Sequence, residues 1–535
     1  MTTEAPAPPT AGTPRPTRGR LRTRLAAFGL AIADRPYLIT GALIGLIILL
    51  GLSGPDWPAA IFRTQLVRDH GAILWNNQWY GGHLLPGYSV VTPVLSSAIG
   101  THTLTALSCI VSAWAWSRLD VGKNDLARRT GAVWFAVMAS VDYLIGRTPF
   151  ALGVAAGLLA LLAARNKRLV LTGVAALVCG LASPLSAAFL LMAALAWVPH
   201  ERVWPTRLAF GPAALGLVTA LLFPDEGTFP FPWWRFWPII GFAAVGLWLL
   251  PTTQRTARRF LWLYAASAVV FFFVPTSLGG NLARLGEMIA GPIMAIVLLS
   301  LGRRRLVVIL AIPLLVWGFQ SATIAINHDR EDSKGEKYEY YADVMKYLGT
   351  ANQPLGRIEI PFTRGHWESV YVADKMPLAR GWLRQMDRSV NEVLYKPILT
   401  GPEYRAWVEE MGVRFVALPD VPIDKSAQPE VDLIKSGVPW LKPVWSDKHW
   451  QVWEVQNPSP LLDGPGRLTR LTPSEFTFVA DQPGVFRIRI HPTFWFTADR
   501  EGVHIRADDK DEWTQITVAT PGPVTIKTDL KKILE

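Results

Sequence analysis

The sequence predicts a polytopic α-helical membrane protein of about eleven spans, followed by an extracytoplasmic α/β region and a β-sandwich-like module. Three observations predict it. Half of the 535 residues are hydrophobic and only 18% are charged, a balance foreign to a soluble chain of this length. Apolar runs recur between residues 37 and 324, several of them shorter than the roughly 20 residues that cross hydrocarbon. Basic clusters punctuate these runs at alternate loops.

Residues 1–34 are rich in Pro, Thr, Ala and Arg. The first half buries too little apolar surface to fold and reads as a disordered cytoplasmic tail, with 21–33 suited to a short interfacial helix. A cleaved signal fits poorly: the n-region is too long and no small-residue cleavage site follows. The candidate spans are 37–54, 86–100, 103–117, 130–146, 149–164, 169–182, 185–198, 208–223, 236–251, 260–275, 285–301 and 307–324. The count is eleven if 86–117 is a single passage and twelve otherwise.

Six basic clusters orient the bundle: Arg15 to Arg24, Arg118 to Arg129, Arg165 to Arg168, Arg202 and Arg207, Arg255 to Arg259, and Arg303 to Arg305. The positive-inside rule puts them, and the N-terminus, in the cytoplasm, with everything after 326 outside. The net charge of +11 therefore reports topology, and no nucleic-acid partner is expected. Cys109 and Cys179 lie inside apolar runs and read as small hydrophobes rather than a disulfide.

The outward loops carry a different chemistry: Asp56, Asp69 and His70, then Asp142 and Arg147, Asp225 and Glu226, and Asn281, Arg284 and Glu287. Ionisable groups at membrane depth are costly and point to a site. Asp56 ends the first span and precedes "WPAAIFRTQLVRDHG", an amphipathic helix expected to lie on the outer face. Capping that helix is one role for Asp56 and facing a cavity is another; the two are compatible.

Trp75, Asn76, Asn77, Trp79 and Tyr80 form an aromatic and amide-rich segment before Gly81 and Gly82. It suits stacking on sugar rings as well as an interfacial aromatic belt. Arg147 and Arg284 run against the positive-inside bias. Each is expected either to form an ion pair, Arg147 with Asp142 and Arg284 with Glu287, or to clamp an anion such as phosphate.

No phosphate-binding loop, nucleophile elbow, HExxH or CxxC occurs, and "DREDSKGEKYEY" has the wrong spacing for a calcium loop. Membrane periodicity stops near Ile324. "YYADVMKYLGT" and "GPEYRAWVEEMG" read as helices, and "GRIEIPF" and "VRFVALPD" as strands. Between Glu475 and Leu530, short alternating strands with Gly/Pro turns predict a β-sandwich, a carbohydrate binder or a support for the bundle. The expected domains are therefore 1–34, 35–326, 327–460 and 461–535. Within the third, Val372–Tyr395 is dense in polar groups around Trp382 and suits a surface helix or an acceptor cleft.

With Asp56 after the first span, a long outer first loop, many short spans and an external C-terminal region, the chain resembles the GT-C superfamily of membrane glycosyltransferases. The stretches "GAILWNNQWYGGHLLPGY" and "PLARGWLRQMD" are also similar to bacterial membrane proteins labelled 6-pyruvoyl-tetrahydropterin-synthase-related. The zinc-binding histidines of such a synthase are missing here. The resemblance covers most of 36–455. It implies a polyprenyl-phosphate-sugar donor, a cell-envelope glycan, lipid or protein acceptor, and a place in a bacterial cytoplasmic membrane.

It implies Asp56 as catalytic base, Arg284 and Arg147 at the donor phosphate, and Asp69, His70, Trp75, Asn76, Asn77, Trp79 and Tyr80 at the sugar or acceptor. Where some relatives hold a divalent metal on paired acids, this loop has no Asp-x-Asp, so no cofactor is assigned. Asp69 and His70 would reach a metal only by folding back toward Asp56. A carrier of lipid-linked glycans and a non-catalytic assembly partner are the competing classes; a carrier should show mid-membrane charges and internal repeats.

Overall fold

The computed structural model describes residues 29–119, 121–122, 124–197, 204–223, 227–332, 334–510 and 512–529. The expected tail to residue 28, Lys123, Arg202, Asp225 and Glu226 lie outside them.

Each apolar run forms a helix. In order they are Pro36–Leu49, Val91–Ile99, Thr101–Arg118, Asp125–Ile145, Thr148–Arg165, Leu169–Ala182, Pro184–Ala196, Ala214–Leu222, Trp233–Leu249, Arg255–Phe273, Ala283–Ser300 and Arg304–Asp332. Among the described residues, five helical stretches are long and apolar enough to cross a membrane, and one bent pair would make a sixth. The expected eleven crossings are not established on that basis. Pro36–Leu49, Leu169–Ala182 and Pro184–Ala196 are apolar but shorter, roughly 20 Å each at the helical rise.

The runs 86–100 and 103–117 are a helix pair bent by 110°. Gly100 sits at the break with φ +90°, backbone that a side chain disfavours. The last helix continues to Asp332, past the expected boundary at 326.

The bundle's outer surface is apolar: Leu171, Trp248, Trp262, Ile309 and Val316 are exposed. Burial inside is instead carried by small residues and aromatics, the distribution of helices solvated by lipid. The helices Leu169–Ala182 and Ala214–Leu222 touch backbone to backbone, because a Cβ on Gly216 would lie 2.1 Å from the Gly180 carbonyl oxygen. At one end of the bundle Arg129 pairs with Asp34 at 2.8 Å and Asn124 caps the helix that begins at Asp125.

Beyond the bundle, a four-stranded sheet runs in the order Arg357–Glu359, Val413–Pro419, Trp450–Val455, Leu441–Ser446. The first pair is parallel and the others antiparallel. Phe415 and Ala417 face one core with Tyr341, Val344 and Leu348 of helix Tyr338–Ala351. Val416 and Leu418, one register step away, face another with Tyr404 and Val408 of helix Gly401–Glu410. That alternation is the two-residue period of a strand buried on both faces. Two antiparallel four-stranded sheets follow and enclose Phe476, Phe478, Phe486, Ile516 and Ile526.

The long loop after helix Trp57–His70 rivets all three regions together. It folds as a short hairpin, Trp75 opposite Leu84 and Asn76 opposite His83. From there its backbone bonds outward: Asn77 N–H to Pro473 O at 2.7 Å, and Gly81 O from His491 N–H at 2.8 Å.

Candidate functional site

The site begins at a turn. Helix Asp125–Ile145 ends in left-handed Gly146, where a Cβ would lie 2.6 Å from the Trp57 backbone nitrogen. Only glycine allows that approach. The Asp56 N–H then donates to Ile145 O at 2.9 Å, and Pro149 in the first turn opens the next helix. Asp56 and Arg147 are thereby set side by side.

Arg147 is gripped from three directions. Its Nη1 lies 3.4 Å from Asp142 Oδ1 and 3.8 Å from Glu287 Oε2, and its Nε lies 4.0 Å from Asp56 Oδ2. Nη2 donates to Ser321 Oγ at 3.0 Å, and that hydroxyl donates to Glu287 Oε2 at 2.8 Å. The Asp56 side chain keeps 17% of its surface accessible. It makes no side-chain capping bond to its own helix, so the expected cap is not formed and the carboxylate is turned to Arg147.

Arg284 stands in the first turn of helix Ala283–Ser300, its guanidinium 5.8 Å from the centre of the Phe150 ring. Among the described residues no carboxylate pairs with it, and the expected partner Glu287 is taken by Arg147 and Ser321. Arg284 nevertheless feels the charges of Arg147, Asp56 and Asp142. Arg235 lies 4.9 Å over the Trp234 ring. Asp56, Asp142 and Glu287 thus surround Arg147.

Arg284, Asn281, Tyr88, Trp382 and Gln385 line a cavity of about 410 Å³ together with Leu217, Leu221 and Phe271. A second pocket of about 10 Å³, the size of one water, is lined by Asp56, Thr64 and Ser96. Tyr88 and Pro149 line both, so the pocket at Asp56 and the cavity at Arg284 are neighbours that share a wall. A larger cleft of about 860 Å³, between Trp233–Leu249 and Arg304–Asp332, has no ionisable lining residue.

The remaining expected site residues are elsewhere. Trp75, Asn76, Asn77, Trp79 and Tyr80 are buried. Trp75 packs edge-on against Phe496, Asn77 Nδ2 donates to Thr472 O, Trp79 Nε1 to Ser369 O, and Tyr80 OH to Leu383 O. The segment joins regions rather than offering a ring to a ligand, and neither an aromatic belt nor a sugar platform describes it here. His83, stacked on Trp79, is pushed down to about 3 by burial first and by Arg63 second, so it stays neutral.

Asp69 and His70 are exposed at the far end of helix Trp57–His70, roughly 20 Å from Asp56 by helical rise. The fold-back toward Asp56 is not formed. The residues present do not fit a divalent metal beside Asp56: its nearest charged neighbour is a guanidinium, and no described group of three His, Cys, Asp or Glu has ligand geometry.

Sequence reasoning missed Ser321, Tyr88 and Gln385, which bond Arg147 or line the two pockets.

No family model matches the sequence, and no curated protein matches it. One solved structure that it resembles is a cryo-EM structure of a mutant of the arabinofuranosyltransferase AftD from Mycobacteria, at 15% identity and TM-score 0.42. The match covers 84% of this chain and 42% of that one, so this chain spans less than half the length of that protein.

Proposed function

We propose that the chain is a membrane glycosyltransferase that moves a sugar from a polyprenyl-phosphate donor to a cell-envelope acceptor on the outer face of a bacterial cytoplasmic membrane. One observation carries the reading. A partly accessible carboxylate, Asp56, and an arginine without a carboxylate partner among the described residues, Arg284, line neighbouring pockets that share Tyr88 and Pro149, and the larger one mixes polar with apolar lining residues. A lipid-linked sugar phosphate has that combination of groups.

In the proposed step the acceptor oxygen attacks the anomeric carbon and its proton passes to the Asp56 carboxylate. The bond from that carbon to the phosphate oxygen breaks, and the polyprenyl phosphate leaves with the electron pair. Attack opposite the leaving group inverts the anomeric centre. Arg284 faces the charge that grows on the phosphate. Arg147, already surrounded by carboxylates, positions Asp56 rather than taking the phosphate itself, which revises its expected role. The basic helix ends and the acid-bearing opposite ends support a cytoplasmic N-terminus.

The test is reconstitution of the full chain in liposomes with polyprenyl-phosphate-linked mannose or arabinose and an envelope glycan acceptor. The reading predicts transfer with inversion. Translocation of a lipid-linked glycan without transfer would replace it with a carrier.

A further inference from the structure

The C-terminal region contributes a loop to the membrane cavity, and that loop is unusually well fixed. At its base Arg380 donates through Nε to both Asp387 oxygens at 3.2 Å and through Nη2 to Oδ2 at 2.7 Å, closing "RGWLRQMD" like a clasp. Its flank rests on the buried hairpin: a Cβ on Gly381 would lie 2.5 Å from Trp79 Cγ, and Leu383 O accepts from Tyr80 OH at 3.1 Å. At the tip, Trp382 Nε1 donates to Pro55 O at 2.9 Å, one residue before Asp56. On the opposite side the Gln385 carbonyl is packed against Gly227, where a Cβ would lie 2.1 Å away.

Trp382 and Gln385 line the same cavity as Arg284 and Asn281. The indole N–H is already spent on Pro55, so the ring offers a ligand only its apolar, electron-rich surface. That surface attracts the C–H face of a sugar ring. The Gln385 amide has both donor and acceptor and can meet a hydroxyl in either sense. The cavity lies within the size range of small-ligand sites.

Resting on the reading of this site as a sugar-phosphate site, we propose that the Arg380–Asp387 loop is its sugar-recognition wall, Trp382 stacking on the donor's sugar and Gln385 bonding one of its hydroxyls. The stacking role assigned from sequence to Trp75 and Trp79 thus passes to Trp382, whose loop rests on Trp79 and Tyr80. Membrane-facing helices supply the phosphate side and the C-terminal region supplies the sugar side. Specificity for the sugar therefore resides in the C-terminal region.

The test measures binding of two lipids, polyprenyl phosphate and polyprenyl-phosphate-mannose, to the full reconstituted chain. Trp382→Ala is expected to weaken the sugar-bearing lipid by about tenfold and leave the sugar-free lipid unchanged. Trp382→Phe, which keeps an aromatic face, holds most of the affinity, and Gln385→Ala loses about threefold for the sugar-bearing lipid alone. The Phe and Gln385 variants keep the test open should Trp382→Ala fold poorly. Equal loss for both lipids, no loss in any variant, or a parent that binds both lipids equally would overturn the proposal. A parent that binds neither lipid overturns the functional reading with it.

Discussion

Arg147 and Arg380 each gather three carboxylates, and the two clusters are built differently. Arg380 is sealed: it bonds Asp387 at 2.7 Å and Glu430 at 3.2 Å, lies 3.6 Å over the Phe362 ring, and has Glu359 at 4.0 Å. Two of the acids are themselves satisfied, Asp387 by Asn391 and Tyr395 and Glu430 by Tyr404, while both Glu359 oxygens are buried without a hydrogen-bond partner. Arg147 has longer contacts, 3.4 to 4.0 Å to its carboxylates, and one of those acids, Asp56, also lines a pocket. A closed network fixes a fold; an open one next to a cavity is available for chemistry. Arginine with three acids is therefore no signature of function by itself. What matters is which acid keeps access.

The comparison can be broken. Arg380→Met should cost about 3–5 kcal/mol, because the buried Asp387 and Glu430 lose the cation they bond, and thermal unfolding of the full chain in detergent checks it. A small effect there would mean the network is not sealed. A second test uses pH. Glu359 is raised well above the usual carboxylate range, by burial first and by the neighbouring charge of Glu430 second. The folded state therefore holds this proton more tightly than the unfolded one. The resulting stability is complete below the ordinary carboxylate value and fades as pH rises toward the folded one. Thermal midpoints should drop as pH rises above the ordinary carboxylate range, and Glu359→Gln, neutral at every pH, should flatten that slope.

A smaller effect separates the aromatic segment from the cavity. Trp79→Phe removes the hydrogen bond to Ser369 O and should cost about 1 kcal/mol of stability. Phe keeps a ring under Gly381, so transfer per folded molecule should stay unchanged. Loss of transfer with the fold intact would show that the Ser369 bond itself sets the loop.

The helices were legible because each needs a long apolar run, and every run forms one. Their number as membrane crossings was not, because Gly100 breaks one run by 110° and others are short. Asp56, Arg147 and Arg284 were legible as charges at the ends of apolar runs, and the first two lie 4.0 Å apart. Their pairing was not, since Glu287 reaches Arg147 across helices instead of its near neighbour Arg284. The segment from Trp75 to Tyr80 misled because aromatics and amides serve a buried joint between regions as well as a ligand. Only tertiary contacts, 290 residues apart for Trp79 and Ser369, tell the two uses apart.

The most direct measurement compares the parent with Asp56→Asn in one reconstituted preparation, following sugar transfer from polyprenyl-phosphate-mannose or -arabinose alongside the thermal midpoint. With the base removed and the shape kept, transfer should fall by about 10²–10⁴-fold while the midpoint holds. Transfer that survives the substitution at the parental rate would contradict the account.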